Sequence, residues 1–200
     1  MSQQMQQILF RHRRQTLNGL AVLVPAASDL DPASFLGEVR GQEGEIGFSD
    51  PGCASNLKIP LPGPDEAGRS AHLHIEQLYS TRPPNSISHY RFEICWCHDV
   101  VLPAPAGDYL RDSMLCLRRG VRFDHHPLTE ELRHPQFHWH PNGCSEFRMV
   151  SGEMTALKTA AVAFLMFDPK ALSDACSTNQ QVHNVVEQLY REMPGLPGMT

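Results

Sequence analysis

The sequence predicts an α+β fold, in which an antiparallel meander sheet has N- and C-terminal helices packed on one face. Three features carry this prediction. First, apolar and polar residues alternate between residues 71 and 150, in the runs AHLHIEQLYS, SHYRFEICWCHD, DSMLCLRRGVRFDHH and QFHWH. A period of two is the mark of half-buried strands. Second, the runs are split by TRPPNS, LPAPAGDY and HPLTEELRHP, which carry turn or breaker residues. Connections this short join antiparallel neighbours, because a parallel pair needs a long crossover. Third, the period turns helical on both sides of this region.

The elements follow in order. Residues 3–20 read as an amphipathic helix, with Met5, Ile8, Leu9, Leu17 and Leu20 near helical spacing and Asn18-Gly19 blurring its end. Residues 27–70 are rich in Gly, Pro, Asp and Ser, with short strands expected at 37–48 and 55–61 and a loop at PLPGPDEAGRS. TALKTAAVAFLMF suits a buried helix that Asp168-Pro169 ends. NQQVHNVVEQLYREM places Val182, Val185, Val186 and Leu189 on one helical face before Pro194 and Gly195. No internal repeat is present. The chain therefore divides, within one domain of residues 1–200, into an N-terminal helix (1–22), a loop-rich part (27–70), the sheet (71–150) and C-terminal helices (151–193).

Composition narrows the function classes. The formal charge is −5 with neutral histidines, which argues against a bulk electrostatic nucleic-acid binder but leaves room for a local basic groove. Of 17 basic residues only Lys58, Lys158 and Lys170 are lysines; arginine suits fixed contacts to phosphate or carboxylate. The six cysteines are irregularly spaced, and MSQQMQQILFRHRRQ lacks the apolar core of a signal peptide. Reduced thiols and a cytoplasmic location are expected. No apolar run approaches the roughly 20 residues of a membrane span.

Strand alternation sorts the candidate functional residues. His72, His74 and Glu76 fall on one side of their strand, as do Arg91, Glu93, Cys95 and Cys97 on the next. Arg122 and Asp124 oppose Val121 and Phe123, and His138 and His140 oppose Phe137 and Trp139. If these strands are neighbours, the polar sides merge into one patch. A merely solvated sheet face would more often use Thr, Lys, Glu and Ser. This one holds groups that titrate near neutrality or make forked hydrogen bonds.

Three kinds of chemistry compete for that patch. The leading one is metal-independent acid–base cleavage of a phosphodiester such as RNA, with no cofactor. His138, His140 and His134 would pass protons, Arg122 would stabilise developing charge and Asp124 would orient a neighbour. Arg148, Arg91 and Trp139 would hold substrate. The second is a metal-dependent hydrolase. The His72-x-His74 and His138-x-His140 pairs can each chelate an ion on a strand, and Cys95-x-Cys97 adds soft ligands. Zinc would draw four ligands from these sets, His72, His74, Cys95 and Cys97 first, although no Cys-x-x-Cys pair is present. The third is non-catalytic docking onto a larger protein through the same Arg and His residues. Cysteine nucleophilic catalysis by Cys97 or Cys144 is outweighed by plain thiols. Walker, G-x-G-x-x-G, H-E-x-x-H and G-x-S-x-G motifs are absent.

The run GVRFDHHPLTEELRHPQFHWHPNGCSEFRM resembles a family of uncharacterised bacterial proteins of about this size. That family has an R-[FIVY]-D strand, a variable loop, H-P-x-x-H, a later Arg and then a helix pair. Here these correspond to Arg122-Phe123-Asp124, His134-Pro135-Gln136-Phe137-His138 and Arg148. The upstream HYRFEICW matches the family's preceding strand, and the likeness covers residues 88–190. The layout is also similar to His-rich toxins of toxin–antitoxin pairs, with an R-[FWY]-D strand and a P-H-x-H motif. The resemblance implies a setting among phage-defence and mobile-element genes, with an antitoxin or larger effector as protein partner. The chain departs from the family pattern in its Cys95-x-Cys97 and His72-x-His74 pairs and its long polar N-terminal third.

Overall fold

A computed structural model describes residues 3–49, 58–60, 69–98, 120–125, 136–141 and 149–193. The linkers LPAPAGDY and HPLTEELRHP fall outside these residues. Helix α1 (Gln3–Ala21) leads through a 3-10 turn (Pro25–Asp29) to the one-turn helix α2 (Pro32–Phe35). Strands β1 (Gly37–Val39), β2 (Glu45–Ser49), β3 (Lys58–Pro60), β4 (Arg69–Ser80), β5 (Ile87–His98), β6 (Gly120–His125), β7 (Phe137–Pro141) and β8 (Met149–Val150) follow. Helices α3 (Ala156–Phe167), α4 (Pro169–Thr178) and α5 (Gln180–Glu192) close the described chain. No helix among the described residues is long and apolar enough to cross a membrane.

The strands form one antiparallel sheet in the order β1-β2-β4-β5-β6-β7-β8, and β3 pairs with β4 beyond the end of β2. From β4 to β8 this is the expected meander. The strand expected over 37–48 is instead two strands, β1 and β2, paired as a hairpin. Gly44 permits the turn between them, because its φ of +87° is costly for a residue with a Cβ. Across TRPPNS, Asn85 adopts φ +57° and its side chain donates to the Ser80 carbonyl at 2.9 Å, which closes the β4–β5 link.

One face of the sheet is apolar. The registers put Leu73, Ile94 and Val121 in one row, Ile75, Phe92, Phe123 and Trp139 in the next, and Phe48, Gln77, Tyr90, His125 and Phe137 in a third. These rows pack with Leu9, Leu17 and Leu20 of α1 and with the helices after the sheet. Helix α3 is buried all round over its first eight residues, Lys158 and Thr159 included. Its Ala160, Ala161 and Ala163 are fully covered, and such small side chains let neighbours approach closely.

Each C-terminal helix carries its own start signal. Thr155, Asp168 and Asn179 accept hydrogen bonds from the backbone N–H groups of Lys158, Ala171 and Gln181 respectively. Asp168-Pro169 thus ends α3 and also begins α4, with Pro in the first turn where its missing N–H costs nothing. The sequence pattern marked only the stop. Buried Lys158 ties the start of α3 to the end of α5 by a 2.7 Å pair with Glu192, and it also donates to the Glu153 carbonyl.

Tyr90 joins the sheet to the entry of α3, because its buried hydroxyl accepts the Met154 N–H at 2.8 Å. Tyr90→Phe strands that N–H in the interior. Urea denaturation is expected to show a loss of about 1–2 kcal/mol, with the m-value unchanged.

Candidate functional site

The other face of the sheet carries the charged and imidazole groups. Residues directly opposed in a ladder share a face, so the registers define two rows across four strands. Glu76, Arg91, Asp124 and His138 form one row; His74, Glu93, Arg122 and His140 form the next. Alternation on separate strands thus gathers these groups as expected. Depth is the new finding. Asp124, His138 and His140 are only 1%, 1% and 2% exposed, so the centre of this face is an interior site rather than a solvated surface.

Asp124 is its hub. Oδ2 accepts hydrogen bonds from Arg122 Nε at 2.8 Å and from His140 Nε2 at 3.0 Å. A carboxylate only accepts, so His140 donates through Nε2. His138 Nε2 lies 3.9 Å from the same oxygen. The second oxygen, Oδ1, faces Arg91 Nε at 3.6 Å, too far for a hydrogen bond. Both of those atoms are buried and, among the described residues, have no hydrogen-bond partner.

Two opposing effects set the charge of this hub. Burial pushes the Asp124 carboxyl up, as removal from water disfavours the anion. The Arg122 charge, the His140 hydrogen bond, the Arg91 charge and the Arg122 hydrogen bond together outweigh it, and the carboxyl sits below its ordinary value. The buried group is therefore a carboxylate at neutral pH.

The three buried residues can also serve as ligands. One donor atom each from Asp124, His138 and His140 lies within 4.8 Å of the others. Among the described residues no other group of three His, Cys, Asp or Glu converges in this way. An ion with bonds of about 2.0–2.1 Å to nitrogen would draw these donors in by roughly 1 Å.

The expected site residues divide into those brought together and those not. Arg91, Arg122, Asp124, His138 and His140 form one cluster. Trp139 does not join it: it lies opposite Phe123 on the apolar face and packs against the core. The alternation that turns His138 and His140 one way turns the residue between them the other. Trp139 therefore lies on the face of the sheet opposite those histidines. His134 and Arg148 lie outside the described residues.

Of the expected zinc set, His72 and Cys95 are opposed in register, but their side chains and that of Cys97 lie outside those described. His74 shares a row with His140, three strand spacings away. At about 4.8 Å per spacing that is roughly 14 Å, so the two His-x-His pairs occupy one face without sharing an ion. That the His138-x-His140 pair can chelate an ion is expected from its spacing; Asp124 as its third ligand is not. Its signal was Arg122-Phe123-Asp124 and His138-Trp139-His140, two polar–apolar–polar triplets that pair only once their strands are placed side by side.

Removing the Asp124 charge leaves two guanidiniums facing each other. Asp124→Asn is expected to lose about 2–4 kcal/mol at pH 7, less than for a fully enclosed pair because both arginines reach solvent. The pH dependence follows from the depressed carboxyl. Its stabilisation is present above the unfolded value of about 3.9 and is lost as pH falls through the lower folded value. Urea titrations at pH 7 and in the acid range should show the wild type losing this part of its stability with acid while Asp124→Asn does not.

Comparison with protein-family models, with curated proteins and with solved structures finds no match to this chain.

Proposed function

We propose that this protein is a metal-dependent hydrolase whose centre is Asp124, His138 and His140. The observation that carries this reading is the convergence of three buried donor atoms within 4.8 Å on the polar face of a sheet. Two histidines and one carboxylate are a ligand set that divalent transition metals accept. Arg122 holds Oδ2 of Asp124, and Oδ1 is buried with no hydrogen bond among the described residues. Such an outer contact orients a ligating carboxylate. A set of three protein ligands suits catalysis, because the ion can then hold a water and lower its pKa towards neutrality.

Burial weighs against placing a phosphodiester between the two imidazoles. A general acid and a general base must each reach the substrate within about 2.6–3.2 Å, and His138 and His140 are only 1% and 2% exposed. The local charge is also unfavourable for a polyanion: the two rows hold Glu76, Glu93 and Asp124 against Arg91 and Arg122, a formal −1 with neutral imidazoles. One observation favours metal-free acid–base chemistry as a second reading: the 3.0 Å Asp124–His140 hydrogen bond orients an imidazole as a general base requires. A phosphodiester substrate rests on the pairing of imidazoles with guanidiniums and a cytoplasmic location on the irregularly spaced cysteines, whereas a defence or toxin setting with an antitoxin or effector partner rests on the family resemblance.

The test is elemental analysis of protein prepared without chelator, followed by incubation with total RNA with and without EDTA. About one transition-metal ion per chain is expected, and less than about a tenth of that in His138→Ala/His140→Ala. RNA cleavage should stop with EDTA and in the variant. Cleavage that survives EDTA but not the variant would transfer the assignment to the metal-free mechanism. Protein that takes up no metal and leaves RNA intact would remove both.

A further inference from the structure

The charge of the polar face points to an order of binding. In the rows across β4 to β7, three carboxylates stand against two guanidiniums, so the formal charge is −1 before any ion binds. A divalent ion on Asp124, His138 and His140 would turn this to +1. The low local dielectric of a buried site magnifies such a reversal. An anion is repelled from the empty site and attracted to the loaded one.

One residue is placed to take that anion. Arg91 lies directly across from Asp124 in the ladder, and its side chain is 38% exposed, so it spans from the buried hub to solvent. Its Nε is buried, 3.6 Å from Asp124 Oδ1, and lacks an acceptor among the described residues. Arg122 differs, because its Nε already donates to Asp124 Oδ2 at 2.8 Å. A metal on Asp124 would draw charge from the carboxylate that Arg91 faces at 3.6 Å. The guanidinium would then carry a charge and an open donor beside the ion. A guanidinium fork matches an oxyanion with two oxygens, one on the metal and one on the arginine.

Building on the metal-centre reading, we propose that Arg91 is the anion-binding residue of this site and that it binds an oxyanion, phosphoryl or carboxylate, only after the metal is in place. Arg122 remains on the carboxylate as a positioning residue. The substrate class is thus a small molecule or chain end presenting such a group, which needs no extended basic groove.

Equilibrium dialysis with radiolabelled inorganic phosphate tests this on the full chain. It compares metal-loaded protein, chelator-stripped protein and metal-loaded Arg91→Gln, with metal content measured in every sample. Stripping the metal is expected to weaken phosphate binding about tenfold or more, and so is Arg91→Gln with its metal retained. Competition by methyl phosphate and by acetate separates a phosphoryl from a carboxylate ligand. Equal phosphate binding with and without metal would overturn the proposal. So would unchanged binding by metal-replete Arg91→Gln. Wild type that takes up no metal would instead fail the metal-centre reading beneath it. Should Arg91→Gln not fold, Arg91→Lys keeps the charge without the fork, and it is expected to lose binding severalfold with metal unchanged.

Discussion

A single buried carboxylate organises the polar half of this sheet. Asp124 sits on β6, and it engages Arg91 on β5, Arg122 on its own strand and His140 on β7. Taking a carboxylate out of water costs several kcal/mol unless charge and hydrogen bonds offset it. Here the offset comes from three neighbouring strands, so it is complete only in one register. A slip of one residue would turn Asp124 to the apolar face among the phenylalanines and bring Phe123 into the polar cluster. The ion network therefore specifies the pairing of β5, β6 and β7 in a way that apolar contacts of similar shape would not.

The opposite face supplies the burial that makes this tolerable. Phe48, Phe92 and Phe123 are wholly covered, and α1 and α3 lie against the same side. Burial of such side chains contributes roughly 1.5–3 kcal/mol each. Lys158 repeats the logic of Asp124 at the helical end: a buried charge whose partners, Glu153 and Glu192, come from separate parts of the chain. In both places a polar group joins elements distant in sequence, and apolar packing carries the bulk of the stability.

This division also bears on what the polar face can do. Donor atoms on rigid, centrally paired strands are held better than donors on loops. The Asp124 carboxylate has two unlike oxygens. Oδ2 is saturated by two hydrogen bonds, whereas Oδ1 has none among the described residues. The first fixes the orientation of the group and the second leaves it chemically available. A site whose purpose was only to neutralise a buried charge would be expected to satisfy both oxygens, as most buried polar atoms are satisfied.

The architecture was largely legible in the amino acids. A period of two, turn residues at short intervals and helical spacing at both ends sufficed for an antiparallel α+β meander. Steric alternation, a local property, told which residues share a side of each strand, and it rightly grouped Arg91, Arg122, Asp124, His138 and His140. It also separated Trp139 from them, a consequence overlooked in reading aromatic and histidine neighbours as one site. Capping chemistry at Asp168 was local too, but it serves two helices at once, and the pattern showed only one.

Depth and adjacency were decided by tertiary structure. No strand by itself reveals that Asp124, His138 and His140 are buried, because burial depends on everything around the sheet. Nor does it reveal which His-x-His pair lies near a carboxylate. That follows from strand order and register: β6 and β7 bring residues 124, 138 and 140 together, while His74 is left three strands from His140. The chain by itself determined what each strand offers and to which side. Long-range pairing, a sum of contacts between distant residues, determined which offers meet.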